Sequence, residues 1–136
     1  MSKSETESDW IHTATARIRL RADRHIHVEI SAARDQLPED AIENLGIAAT
    51  FCKERRRCVI LDLRGTNPLP AETRLVYMDP VMGKSYKELA LVVSSDKVSR
   101  LMANIYMLVA RLPFPMRLCL DVEEARAWLD GFKESS

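Results

Sequence analysis

The chain has 136 residues, 46% of them apolar and 29% charged, the make-up of one folded domain with enough apolar surface for a core. Twenty Lys plus Arg balance twenty Asp plus Glu, so no net field draws it onto nucleic acid or an anionic bilayer. The polar opening MSKSETESD, the lack of any apolar run as long as a membrane span, and three cysteines without metal spacing lead to the expectation of a cytoplasmic protein with no membrane span and no disulfide scaffold.

In chain order, residues 1–12 read as a flexible tail, residues 13–132 as a single domain and residues 133–136 as a short C-terminal tail. From Ala14 to Arg21 the apolar Ala16, Ile18 and Leu20 alternate with Arg17, Arg19 and Arg21, the period of a half-exposed strand. Arg24 to Ile30 repeats it, with Ile26, Val28 and Ile30 expected to face in and His25, His27 and Glu29 to face out. The short Ala22-Asp23 link predicts an antiparallel hairpin. Pro38 suits a helix first turn, followed by acidic Glu39, Asp40 and Glu43. The helix is expected to run to about Glu54, with Ile42, Leu45, Ala49 and Cys52 inward and Arg55, Arg56 and Arg57 at its C-terminal end.

Cys58 to Leu63 and Leu89 to Val93 are unbroken apolar runs, as in central parallel strands covered on both faces. Met116 to Leu120 alternates, with Arg117 and Cys119 between Met116, Leu118 and Leu120, and is expected nearer the sheet edge. Helices are predicted from Ala71 to about Met82, bent or broken at Asp79-Pro80, and from Asp96 to Leu112. A last helix follows the cap sequence Asp121-Val122-Glu123-Glu124, with Val122, Ala125, Trp128, Leu129 and Phe132 on one face. The expected fold class is α/β, a mostly parallel sheet with an antiparallel N-terminal hairpin, in the order β-β-α-β-α-β-α-β-α.

The succession VILDLRG, an Ala-Glu-Thr-Arg helix start, ELALVVSSDKVSRLMANIYM and PFPMRLCLDVEEARAWL resembles the uncharacterised bacterial proteins grouped as STAS-like or SpoIIAA-like domains, over roughly Ala14 to Phe132. In the anti-sigma-factor antagonist branch of that superfamily, a strand ending Asp-Leu-Ser leads to Asp-Ser-Ser-Gly at a helix start, where a partner kinase phosphorylates a serine. Aligning Asp62-Leu63 on that Asp-Leu sets Pro70, Ala71, Glu72 and Thr73 opposite the switch motif, so the serine is missing. Glu72 is then either a fixed mimic of the phosphorylated state or an ordinary first-turn residue. Thr66 and Thr73 are the hydroxyls in reach of such a switch.

Asp62 ends a predicted central parallel strand, where open α/β sheets place ligand crevices. Asp62, Arg64, Thr66, Asn67, Glu72, Thr73 and Arg74 therefore form the candidate interaction loop; Asp62 and Asn67 would equally serve to hold the turn. His25 and His27 have the spacing to share a metal, with His12 as a candidate third ligand, yet no acid or cysteine completes a known motif, and solvent-facing strand histidines are the plainer expectation. No metal and no cofactor is expected. No glycine-rich phosphate loop, nucleophile elbow or Cys-His pair is present, so the chain reads as non-enzymatic. Lys53 to Arg57 lacks interleaved aromatics and reads as a solvated helix end.

The expectation is a regulatory or protein-interaction module of STAS-like type, homodimeric, with a protein partner. The alternative is a binder of a small apolar or lipid-like ligand, suggested by the fold similarity of STAS domains to lipid carriers and by Met78, Met82, Met102 and Met107.

Overall fold

The structure, a computed structural model, describes residues 8–31, 36–64, 70–77, 86–97 and 115–135. Six strands form one mixed sheet in chain order: β1 (Ile11–His12), β2 (Ala16–Leu20), β3 (Ile26–Ile30), β4 (Arg57–Asp62), β5 (Tyr86–Val92) and β6 (Met116–Cys119). β2 pairs antiparallel with both β1 and β3; β3 to β6 pair in parallel. The described helices are α1 (Pro38–Thr50), α2 (Ala71–Tyr77) and α3 (Val122–Ser135), with a 3-10 turn at Ser95–Lys97. The hairpin and the parallel strands answer to the alternating and the unbroken apolar patterns respectively. Residues 11 and 12, assigned to the tail by sequence, pair with β2. The helix expected from Asp96 lies outside the described residues beyond that 3-10 turn, as do Met78, Met82, Met102 and Met107. No described helix is long and apolar enough to cross a membrane.

Alternate residues of β4 and β5 feed two separate cores. Val59, Leu61, Leu89 and Leu91 join the inward residues of the hairpin beneath α1 and α2. Ile60, Ala90, Val92 and Cys119 pack beneath α3 against Ala125 and Leu129, with Trp128 partly buried beside them. This double cover is why neither strand shows polar alternation. Helix α3 starts as its sequence predicts. Asp121 Oδ1 accepts the Glu124 amide at 2.7 Å, and Glu124 Oε2 accepts the Leu120 amide at 3.0 Å, a reciprocal cap.

Four expectations change. His25 and His27 do not face solvent: they are 3% and 5% exposed, because α3 and Trp10 cover the side of the hairpin that alternation alone leaves bare. Helix α1 stops at Thr50, and Ile42 is 58% exposed, while Ala41, Asn44, Leu45 and Ala48 turn inward. The stripe is displaced because polar Asn44 belongs to the interior. Arg55, Arg56 and Arg57 therefore lie beyond the helix; Arg57 opens β4, and its Nε donates to the carbonyl of Phe51 at 2.7 Å. In β6 it is Cys119 that is buried and Leu120 that is exposed, since α3 packs over the face that carries Cys119.

Candidate functional site

Asp62 ends β4, and its carboxylate is buried. Arg64 turns back onto it: Nε donates to Oδ1 at 3.1 Å, Nη2 to Oδ2 at 2.8 Å, and the Arg64 amide to Oδ1 at 3.0 Å. A buried carboxylate is thereby neutralised by a two-armed guanidinium and a backbone donor, which fixes the chain where it leaves the sheet. Glu72 is exposed on the first turn of α2. Thr73 points the other way, fully buried, its hydroxyl donating to the carbonyl of Gln36 at 2.6 Å. A kinase reaches that hydroxyl only if α2 unpacks. Thr66 and Asn67 lie outside the described residues, as does the side chain of Arg74. The fold thus joins Asp62 to Arg64, puts Glu72 on the surface and assigns Thr73 to the core.

Register adds residues that chain order does not suggest. Glu29 of β3 lies opposite Asp62, with His27 two residues earlier on the same face. One ligand atom from each of His27, Glu29 and Asp62 lies within 4.8 Å of the other two. Arg17 of β2 holds Glu29, with Nε to Oε1 at 3.2 Å and Nη2 to Oε2 at 3.3 Å. Trp10 roofs the group: its ring centre is 4.1 Å from the Arg17 guanidinium carbon, 4.3 Å from that of Arg19 and 5.3 Å from the His27 ring. Neither ring nitrogen of His27 has a hydrogen-bond partner among the described residues. Burial, and then the positive charge of Arg21, push its pKa down to about 4, so the imidazole is neutral at pH 7.

These distances admit a small cation, but the charges oppose one. Each carboxylate is already clamped by a guanidinium, and Arg19 and Arg21 add positive charge beside the imidazole. A dication would have to displace two paired forks and would then face the arginines it released. The group is a closed ion-pair network with one idle histidine. His25 serves a different joint: its Nε2 meets Asp130 Oδ1 of α3 at 2.8 Å, and Asp130 Oδ2 also accepts from Arg126 at 2.7 Å. His12 is exposed on β1, where it lies opposite Arg17. The alternation His25-x-His27-x-Glu29 signals a shared face; only the parallel register brings Asp62 to it.

A family model described as a domain of unknown function, DUF7793, matches residues 23–133. The chain belongs to this family. No curated protein and no solved structure matches it. The matched span of the DUF7793 domain holds His27, Glu29, Asp62 and Arg64, while β1, β2 and Trp10 precede it. The arginines and the tryptophan that close over the His27 group therefore come from outside the matched segment.

Proposed function

We propose that this DUF7793 domain is a non-enzymatic regulatory module of the STAS-like type that acts in the cytoplasm through protein contacts, as a homodimer and with a further protein partner. The observation that carries the proposal is the outer surface of the α1–α2 layer. Leu37, Ile42 and Leu75 are exposed there at 47%, 58% and 59%, with Glu72 on the same short helix as Leu75. Large apolar side chains left in water at α1 and on α2, the helix that follows the Asp62 turn, are what a protein contact would cover. The pairing of Asp62 with Arg64 supports the non-enzymatic part of the proposal, since the best-placed acid is occupied in holding the turn. The apolar-ligand alternative has less support: the void among Val28, Leu45, Val59, Leu61, Tyr77 and Leu89 measures about 20 Å³, room for one water rather than a lipid chain.

Analytical ultracentrifugation of the wild type and of the Ile42→Glu, Leu75→Glu double variant tests this. A wild-type dimer that becomes a folded monomer in the variant is expected. A wild type that stays monomeric at tens of micromolar, or a variant dimer of unchanged strength, would remove the α1–α2 layer as the homodimer surface.

A further inference from the structure

At the opposite end of the sheet from Asp62, where β3, β4 and β5 begin, a cleft of about 220 Å³ is lined by Arg24, Arg55, Arg56, Arg57, Lys87 and Asp23. His25 and Cys58 form part of its wall. Arg17, Arg21, Arg64 and Arg126 each hold a carboxylate. None of the five cations of the cleft does so among the described residues. The one carboxylate in the lining, Asp23, is held by Arg21 at 3.0 Å. In a chain whose charges sum to zero, five cations thus gather round one cavity with Asp23 as the one carboxylate in its described lining. Burial, and next the repulsion from Arg24 and Arg55, hold Arg57 below the usual guanidinium range.

Two details separate this cleft from an ordinary solvated basic rim. Arg57 is not a free surface side chain: its Nε is anchored on the Phe51 carbonyl, which fixes the plane of the fork beside the cavity. Arg24 has φ of 70°, the left-handed region that glycine fills without strain. The hairpin turn requires that conformation, since the Arg24 amide donates to the Arg21 carbonyl and the Arg21 amide to the His25 carbonyl, both at 2.9 Å. A glycine would close the same turn more cheaply. An arginine there spends stability and adds a cation to the cleft.

We propose that this cleft is an anion site for the phosphate or diphosphate group of a small molecule. Guanidinium forks match phosphate oxygens in pairs, and a tetrahedral polyanion supplies the missing negative charge to several cations at once. The volume suits one or two phosphates, and among the described residues the lining has no Phe, Tyr or Trp on which a nucleobase would stack. The site is independent of the protein-contact surface on α1 and α2.

The test is calorimetric titration of the full chain with sodium diphosphate and with orthophosphate at fixed ionic strength, with chloride as the salt control. Saturable one-to-one binding of diphosphate is expected. Arg24→Gly should raise the melting temperature of the free protein and still weaken diphosphate binding by roughly tenfold, the size of one lost charge-assisted hydrogen bond. Arg56→Glu with Lys87→Glu should weaken it further, with unchanged circular dichroism. Heat that tracks ionic strength alone, without saturation, would overturn the proposal. So would an Arg24→Gly variant that binds diphosphate as tightly as the wild type.

Discussion

His27 is a residue whose chemistry its environment alters. Its ring is buried, tilted at 60° to the ring of Trp10 and without a hydrogen-bond partner among the described residues. An unsatisfied buried polar group costs on the order of 1 to 3 kcal/mol, so His27→Phe is expected to raise stability by about 1 kcal/mol in urea titration at pH 7. The same group makes the fold acid-sensitive. An imidazole takes its proton near 6.5 in the unfolded chain and near 4 in the fold. Between those values the unfolded chain binds the proton that the fold refuses, so stability falls as pH drops from about 6.5 to 4, by on the order of 3 kcal/mol. His27→Phe should lose that part of the pH dependence; an unchanged acid limb would show that another group causes it. The spacing His25-x-His27 already put both rings on one face. Their burial depends on α3 and Trp10, which approach from distant parts of the chain.

At the scale of elements, α1 and α2 are joined to the hairpin by buried polar side chains as well as by apolar packing. Asn44 Nδ2 donates to Thr15 Oγ1 at 3.2 Å and to the Tyr77 hydroxyl at 3.1 Å, and Asn44 Oδ1 accepts from Thr13 Oγ1 at 2.6 Å. Tyr77 donates in turn to Gln36 Oε1, and Gln36 Nε2 reaches Thr15 Oγ1 at 3.3 Å. Asn44→Ala strands several of these groups together, so a loss of about 2 to 3 kcal/mol is expected from its denaturation midpoint. A double-mutant cycle with Tyr77→Phe should show coupling above about 0.5 kcal/mol; additive losses would mean that the network does not act as a unit. Helix α1 shows where sequence periodicity fails. Ile42 fits the apolar stripe and Asn44 does not, yet Asn44 is buried and Ile42 is exposed, because three partners distant in the chain, Thr13, Thr15 and Tyr77, satisfy the amide. The cap of α3 was legible because Asp121 and Glu124 satisfy neighbours in the chain.

For the whole molecule, the core carries acids that must stay protonated. Burial pushes the Tyr77 and Tyr86 phenols above their usual range. Burial, with the hydrogen bond from Cys58 Sγ to Glu88 Oε2 at 2.9 Å, pushes the Cys58 thiol up to about 12. Groups whose folded pKa is raised contribute stability that is fully present below the unfolded value and is lost as pH rises through it. Stability should therefore hold to about pH 9 and then fall toward pH 12, by up to roughly 1.4 kcal/mol per pH unit for each group ionised only in the unfolded chain. Cys58→Ala should soften the first part of that fall in melting curves recorded from pH 8 to 11; an identical curve would exclude the thiol as a contributor. The same burial predicts that Cys58 and Cys119 react with thiol reagents more slowly than the half-exposed Cys52.

By itself the sequence determined the antiparallel hairpin, the doubly covered strands β4 and β5, the reciprocal cap of α3 and the place of Asp62 at a strand end. Each of these is written in residues a few places apart, through side-chain period or a local hydrogen bond. Tertiary structure alone decided that Glu29 and His27 stand beside Asp62, that Thr73 is a core joint, and that Arg24 and Lys87 meet the arginines of the α1–β4 turn. Those groupings depend on strand register and on which helix covers which face. Both are set by the summed burial of the whole sheet, which no short stretch of the chain encodes.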